Sequence, residues 1–241
     1  MEEQEYVTMA QVEAEHWWYK GLHDCLLNFI PSNHAKLLDV GCGTGQFLKL
    51  LNDANAVGLD FSEQALDLAS AKVANSLVKG DIRDLPFGDE TFDTIVSCDV
   101  LDCFDDEEER RQALGELYRV MSRDGLLLLN LPAFPILKSS HDKAVHVVHR
   151  FRKEELKNLL LAEGFEIQLL SYRNCFLFPL AAMLRLIRKK SRRGAMKSDV
   201  ELPHKWLNKL LSQVLYLENS YLSMKGTFPF GLSLFALVKK V

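Results

Sequence analysis

Leu37-Leu38-Asp39-Val40-Gly41-Cys42-Gly43-Thr44-Gly45-Gln46-Phe47 decides how the rest of the chain is read. The apolar run Leu37 to Val40, holding Asp39, predicts a short buried strand. Three glycines at alternate positions follow, a turn that no side chain crowds and whose backbone can approach a ligand closely. From Thr44 to Asn52 the apolar residues Phe47, Leu48 and Leu51 return at helical spacing. Strand, glycine turn and helix together open a doubly wound α/β sheet of the nucleotide-binding kind. Ala56-Val57-Gly58-Leu59-Asp60 reads as a second strand, ending in a carboxylate where such folds place the acid that binds a ribose.

The glycine spacing separates cofactor classes. A dinucleotide fingerprint wants G-x-G-x-x-G, whose third glycine would fall where Gln46 stands. No G-K-[ST] follows, so a P-loop is excluded. The form present, D-V-G-C-G-T-G, closely resembles the first motif of the class I S-adenosylmethionine-dependent methyltransferases. Ser76-Leu77-Val78-Lys79-Gly80-Asp81 reads as a third strand ending in an acid, and Asp81-Ile82-Arg83-Asp84-Leu85-Pro86-Phe87 resembles that family's G-D-[AI]-x-x-L-P-F segment. Phe92 to Cys98 is a fourth strand. Gly125 to Leu131 is a fifth and buried one, reached through a helix over Leu114, Leu117, Tyr118 and Met121 to Arg123-Asp124-Gly125 that resembles the family's R-V-L-K-P-G-G run. Leu232 to Val238 is the natural seventh strand.

The resemblance runs from about Leu37 to Phe165. It implies a seven-stranded, mostly parallel, Rossmann-like sheet and S-adenosyl-L-methionine as cofactor, released as S-adenosyl-L-homocysteine. The residues it places at the cofactor are Tyr19, Lys20, Asp39, Gly41, Cys42, Gly43, Gly45, Asp60, Phe61, Asp81, Ile82, Cys98 and Asp99. Asp81 would accept from the adenine amino group, and Ile82 would offer its N–H. The segment Ser97 to Asp102 would face methyl transfer. Nucleobase amino-group methyltransferases carry [DN]-P-P-[YF] there, and Cys98-Asp99-Val100-Leu101 disfavours that subclass. A nicotinamide oxidoreductase on the same sheet is the rival, against which Gln46 and Asp81 argue.

Composition narrows the partners. The chain has 241 residues, 48% apolar and 26% charged, with a net charge of −4, and its isoelectric point lies near 6.0. These values predict a globular α/β protein without an extended nucleic-acid surface. Five scattered cysteines with no C-x-x-C pair suit a reduced, cytoplasmic setting. Met1 to Glu5 shows no signal-peptide core and no run is long enough to span a bilayer. Asp99, Asp102, Asp105 and Asp106 invite a divalent metal. Asp105 to Glu109 reads better as the acidic first turn of the next helix, so no metal is expected.

The loop from Pro132 to Arg152 is where substrates of such enzymes differ. His141, Asp142 and His146 are the candidate catalytic groups, with His149 close by; a neutral imidazole or a carboxylate suits general-base removal of a hydroxyl proton. Some sugar, lipid and quinone methyltransferases look alike in this loop. The reaction expected is therefore O-methylation of a small molecule. The alternatives are N- or C-methylation, or a cofactor-binding module without turnover.

Four segments follow. Residues 1–34 form an N-terminal helical lid, with 8–30 read as helix and His16-Trp17-Trp18-Tyr19-Lys20 covering the cofactor or anchoring the helix. Residues 35–171 form the cofactor-binding core, 172–228 a helical insertion, and 229–241 the last strand. In the insertion, Phe176 to Ile187 is apolar and Arg188-Lys189-Lys190-Ser191-Arg192-Arg193 is basic, which suits peripheral contact of 176–197 with an anionic membrane. A second helix, Pro203 to Leu222, shows an apolar face through Trp206, Leu207, Leu210, Leu211, Val214, Leu215 and Leu217. A monomer or homodimer is expected.

Overall fold

The computed structural model describes residues 1–138, 142, 144–179 and 202–241. Strands β1 (Leu37–Val40), β2 (Val57–Asp60), β3 (Ser76–Lys79), β4 (Phe92–Cys98), β5 (Met121–Pro132), β6 (Phe165–Arg173) and β7 (Ser233–Lys240) form one sheet. Their order is β3-β2-β1-β4-β5-β7-β6. All pairings are parallel except those of β7, which runs antiparallel to β5 and β6. Val40 stands beside Leu59 on one flank and Ser97 on the other. The carboxyl ends of β1, β2 and β4 are thus level, and strand order reverses between β1 and β4. A ligand crevice opens at such a reversal.

Local chemistry sets most helix starts. Ser62 caps α4 (Glu63–Ser70) by accepting from the Ala65 N–H at 3.3 Å. Asp106 caps α5 (Glu107–Val120), whose first turn carries Glu107, Glu108 and Glu109 against the helix dipole. Helix α3 (Gln46–Leu51) leaves the glycine turn directly. Helix α6 (Lys153–Ala162) ends before Gly164, whose φ of +88° suits glycine.

Three expectations are corrected. The N-terminal segment is two helices, α1 (Glu3–Val12) and α2 (Trp17–Phe29), broken over 13–16. Glu13 there is buried and turned inward to the Thr44 hydroxyl and the Lys72 ammonium, contacts a continuous periodicity cannot reveal. Strand β5 starts at Met121, not Gly125, because fully buried Met121 pairs with Phe92 and the Ser122 hydroxyl donates to the Phe92 carbonyl at 3.1 Å. In α7 (Lys205–Ser223) the apolar residues Trp206, Leu210 and Leu217 are exposed. Its buried face instead holds Ser212, Leu215, Glu218, Asn219 and Leu222.

That mixed face docks on α2. Gly21 permits the close approach: a Cβ there would lie 2.3 Å from Leu215 Cδ1. Asn219 donates to the Gly21 carbonyl and to Asp24 Oδ2, both at 2.8 Å. Asn208 grips the α1–α2 break, accepting from Trp17 N–H at 2.9 Å and donating to the Glu15 carbonyl at 2.8 Å. The basic run 188–193, and with it most of the expected membrane contact, lies outside the described residues. Among the described residues no helix is long and apolar enough to cross a membrane.

Candidate active site

Gly41, Gly43 and Gly45 have φ of +79°, +52° and +80°, a run that side chains resist. At Gly41 a Cβ would meet Val100 Cγ2 at 2.3 Å, so the turn presses against the chain leaving β4. Both the Gly41 and Cys42 N–H groups donate to the Leu59 carbonyl, at 2.7 and 3.0 Å. The Gly43 N–H is held differently: it donates to Asp60 Oδ2 at 2.8 Å, while Ser62 N–H donates to Oδ1 at 2.8 Å. The Phe61 backbone adds a third donor to the same carboxylate. Burial raises the Asp60 carboxyl above its ordinary range, with those backbone bonds pulling the other way.

Asp39, buried behind the turn, is pushed up to about 8 by burial and then by Asp60. Cys42 is buried. Ile82 is buried beneath Asp81 and Phe61 is 74% exposed. Asp81 accepts from Arg83 Nε at 3.0 Å, Nη2 at 2.6 Å and N–H at 2.9 Å, and Arg83 holds its carboxyl below the usual range. An adenine amino group reaching Asp81 would share it with Arg83, which also pairs with Glu109.

Helix α1 lies over this turn. Tyr6, Met9 and Glu13 are spaced to share one helix face. Burial, and next Asp60, pushes the Tyr6 hydroxyl up to about 12, while a hydrogen bond with Ser62 acts the other way. Met9 Cε stands 3.3 Å from where a Gly43 Cβ would be, and among the described residues, its chain neighbours apart, that methyl is the one atom such a Cβ would meet within 4 Å. Glu13 closes the far end through Thr44 and Lys72. At the near end the Glu2 N–H donates to the Ala144 carbonyl at 3.1 Å. Among the aromatic residues of α2, Tyr19 stacks on His23 with ring centroids 6.4 Å apart. Burial raises the Tyr19 hydroxyl, followed by Glu13 and Asp99. Lys20 is exposed.

Of the expected loop bases, Asp142 and His146 are described. His141 lies outside the described residues. Asp142 is fully buried and receives Arg150 Nε at 2.6 Å and Nη2 at 2.8 Å, a bidentate pair that commits both oxygens to structure rather than to proton transfer. His146 is exposed at a φ of +60°, near the Met1 amine at 3.0 Å and Glu2 Oε1 at 3.3 Å. Two residues that sequence reasoning does not single out, Asn130 and Arg173, lie buried on β5 and at the end of β6, and they reach Asp99, which is exposed after β4. Asp99 (φ +54°) accepts from Asn130 Nδ2 at 3.1 Å, and Asn130 Oδ1 accepts from Arg173 Nη1 at 2.8 Å. Asn130 interrupts the leucine run Leu126 to Leu131, and Arg173 ends an apolar strand. A polar residue inside a buried run was the available signal.

Residues 38–129 match the family model described as a methyltransferase domain. The human protein named probable tRNA methyltransferase 9B is 33% identical over 93 residues, 39% of this chain and 20% of that one. A demethylmenaquinone methyltransferase of Lactobacillus johnsonii is 32% identical over 131 residues, 48% of this chain and 52% of the relative. The matched stretch of 38–129 is thus similar to a methyltransferase domain over less than half of the chain. A methyltransferase structure from Thermotoga maritima shares the fold over 99% of this chain and 96% of its own, with a TM-score of 0.63 at 19% identity. These matches take in a fifth of the human relative and about half of the bacterial one. The Thermotoga maritima protein is described as dependent on S-adenosylmethionine.

Proposed function

We propose that the chain transfers the methyl group of S-adenosylmethionine to a hydroxyl of a small molecule. One observation carries the cofactor half: a turn of three alternate left-handed glycines whose Gly43 N–H is locked to Asp60 at a parallel-sheet reversal. The groups present fit the cofactor's chemistry. The Asp60 carboxylate, an acceptor at the strand end, suits the hydroxyls of a ribose, and the space a Gly43 Cβ would fill suits a ligand lying on bare backbone. When bound, the cofactor supplies an activated methyl on a sulfonium. The chain's part is to orient the acceptor and exclude water.

The small-molecule half rests on α1. The helix crosses the carboxyl ends of the strands from Glu13 at the glycine turn to Glu2 at Ala144, leaving little room for a folded nucleic acid. In this reading residues 1–34 are a lid, opening as the Glu13–Lys72 pair and the Glu2–Ala144 bond let go. Two relatives named as tRNA methyltransferases make RNA the acceptor to test against. The assay uses S-adenosylmethionine labelled in its methyl group, with a small-metabolite extract and total RNA offered separately. Label entering the metabolite fraction is expected, and base-stable label in that fraction identifies an ether over an ester. Label entering RNA alone would overturn the small-molecule reading.

A further inference from the structure

Three strands that are distant in sequence bring a connected set of polar side chains to the transfer end of the sheet. Arg173, 1% exposed on β6, donates through Nη1 to Asn130 Oδ1 on β5 at 2.8 Å and through Nη2 to the Gly21 carbonyl at 3.0 Å. Arginine has only donors, so it fixes which way the Asn130 amide faces. The Asn130 NH₂ is thereby aimed at Asp99 Oδ1, 3.1 Å away. Asp99 follows β4, and its own N–H donates to the Asn130 carbonyl at 2.8 Å. Its left-handed φ of +54° is uncommon outside glycine, and such conformations persist where the surroundings hold them. Gly41, in the cofactor turn, would carry a Cβ 4.0 Å from the Cys98 carbonyl, so Asp99 sits one residue from that turn.

A second, independent feature marks the place. Asp102 is fully buried, and neither of its carboxyl oxygens has a hydrogen-bond partner among the described residues. His23, buried on α2 and stacked on Tyr19, also leaves Nδ1 without one. Groups left unsatisfied at such burial need an explanation, and an incoming polar ligand is one.

We propose that Asp99, oriented by Asn130 and Arg173, is the group that takes the acceptor's proton during methyl transfer. The inference rests on the function proposed above and replaces the loop histidines in the role of base. The acceptor oxygen forms a bond to the methyl carbon while the carbon–sulfur bond breaks, its electron pair staying on sulfur. The hydroxyl proton moves to Asp99 and from there to water. The logic is that of a base steered by a second group which a third group fixes. Asp99 is itself exposed to solvent, yet the crowded protein around it raises its carboxyl to about 6, while the Asn130 bond and the charges of Arg173 and Arg150 pull it back down. Tyr19, Cys98, Asp102 and Cys103 also face it. A carboxylate near 6 is ionised at neutral pH yet basic enough to hold a proton in passing.

The test uses full-length protein with ¹³C-labelled aspartate, saturated with S-adenosylhomocysteine, and follows side-chain carboxyl signals by NMR against pH. A signal titrating near 6 that disappears in Asp99→Asn is expected, and it should shift in Asn130→Ser and Arg173→Lys. Methyl transfer from labelled S-adenosylmethionine into the metabolite extract should fall 10²- to 10⁴-fold in Asp99→Asn. The acid limb of the wild-type rate profile should vanish in that variant. An Asp99 signal titrating in the ordinary range near 4, or an acid limb that survives in Asp99→Asn, would overturn the proposal and leave the cofactor reading standing. Failure of the wild-type protein to bind S-adenosylhomocysteine would overturn both.

Discussion

Single residues at this site are set by what their backbone must do. Gly43 combines a φ of +52° with an N–H given to Asp60 and space that Met9 Cε borders. Gly43→Ala should cost about 1–2 kcal/mol from the left-handed conformation alone. It should also weaken cofactor binding, because the methyl group enters the ligand's space. Urea unfolding and ligand titration of the variant measure the two effects, and a variant as stable and as avid as the parent would contradict the turn's assignment. This residue was legible in the sequence because its evidence is local: strand, glycine and acid follow within a short stretch. Asn130 and Arg173 were not, since 43 positions separate them and only the β5-β7-β6 pairing brings them together.

At the scale of elements, strands and capped helices were readable where short-range chemistry decides them, as at Ser62, Asp106 and Gly164. The α1–α2 break was not, because it is made by Glu13 reaching Lys72 across the fold. Nor was the side on which α7 docks: its exposed Trp206, Leu210 and Leu217 made the more apolar stripe, whereas hydrogen bonds from Asn219 and Asn208 orient the helix. The α2–α7 crossing can be tested at Gly21 and Leu215. Gly21→Ala places a methyl group 2.3 Å from Leu215 Cδ1 and should destabilise the fold by about 1–3 kcal/mol. Leu215→Ala leaves a cavity and should cost about 2–5 kcal/mol. Combined, the two should cost less than their sum, since each relieves the other. Strict additivity in chemical unfolding would mean the helices do not cross there.

Across the whole molecule, the strand ends gather carboxyls whose ionised forms the fold penalises. Asp39 is raised to about 8, and Asp60 and Asp102 are raised too, each chiefly by burial. An acid that is harder to ionise folded than unfolded lowers stability as pH rises between its two pKa values. His16 and His23, lowered to about 4 by burial, act in the opposite direction between about 4 and 6.5. Above pH 6.5 the acids remain, joined by His34, which the Pro31 carbonyl and Asp53 raise against desolvation and whose stabilising charge is lost in the same direction, so the ligand-free protein should melt at a falling temperature from pH 6.5 to 8. Asp39→Asn should flatten that slope, and a melting temperature that climbs across the window in the parent protein would contradict it. The same crowded carboxyls explain why a positively charged ligand belongs here. The central claim is that Asp60 and the glycine turn hold S-adenosylmethionine. Its most direct measurement is calorimetric titration of S-adenosylhomocysteine into the wild-type protein and Asp60→Ala. Binding at one site per chain, weakened by about 1–3 kcal/mol in the variant, is the predicted result. No binding to the wild type, or equal affinity in both proteins, would contradict the account.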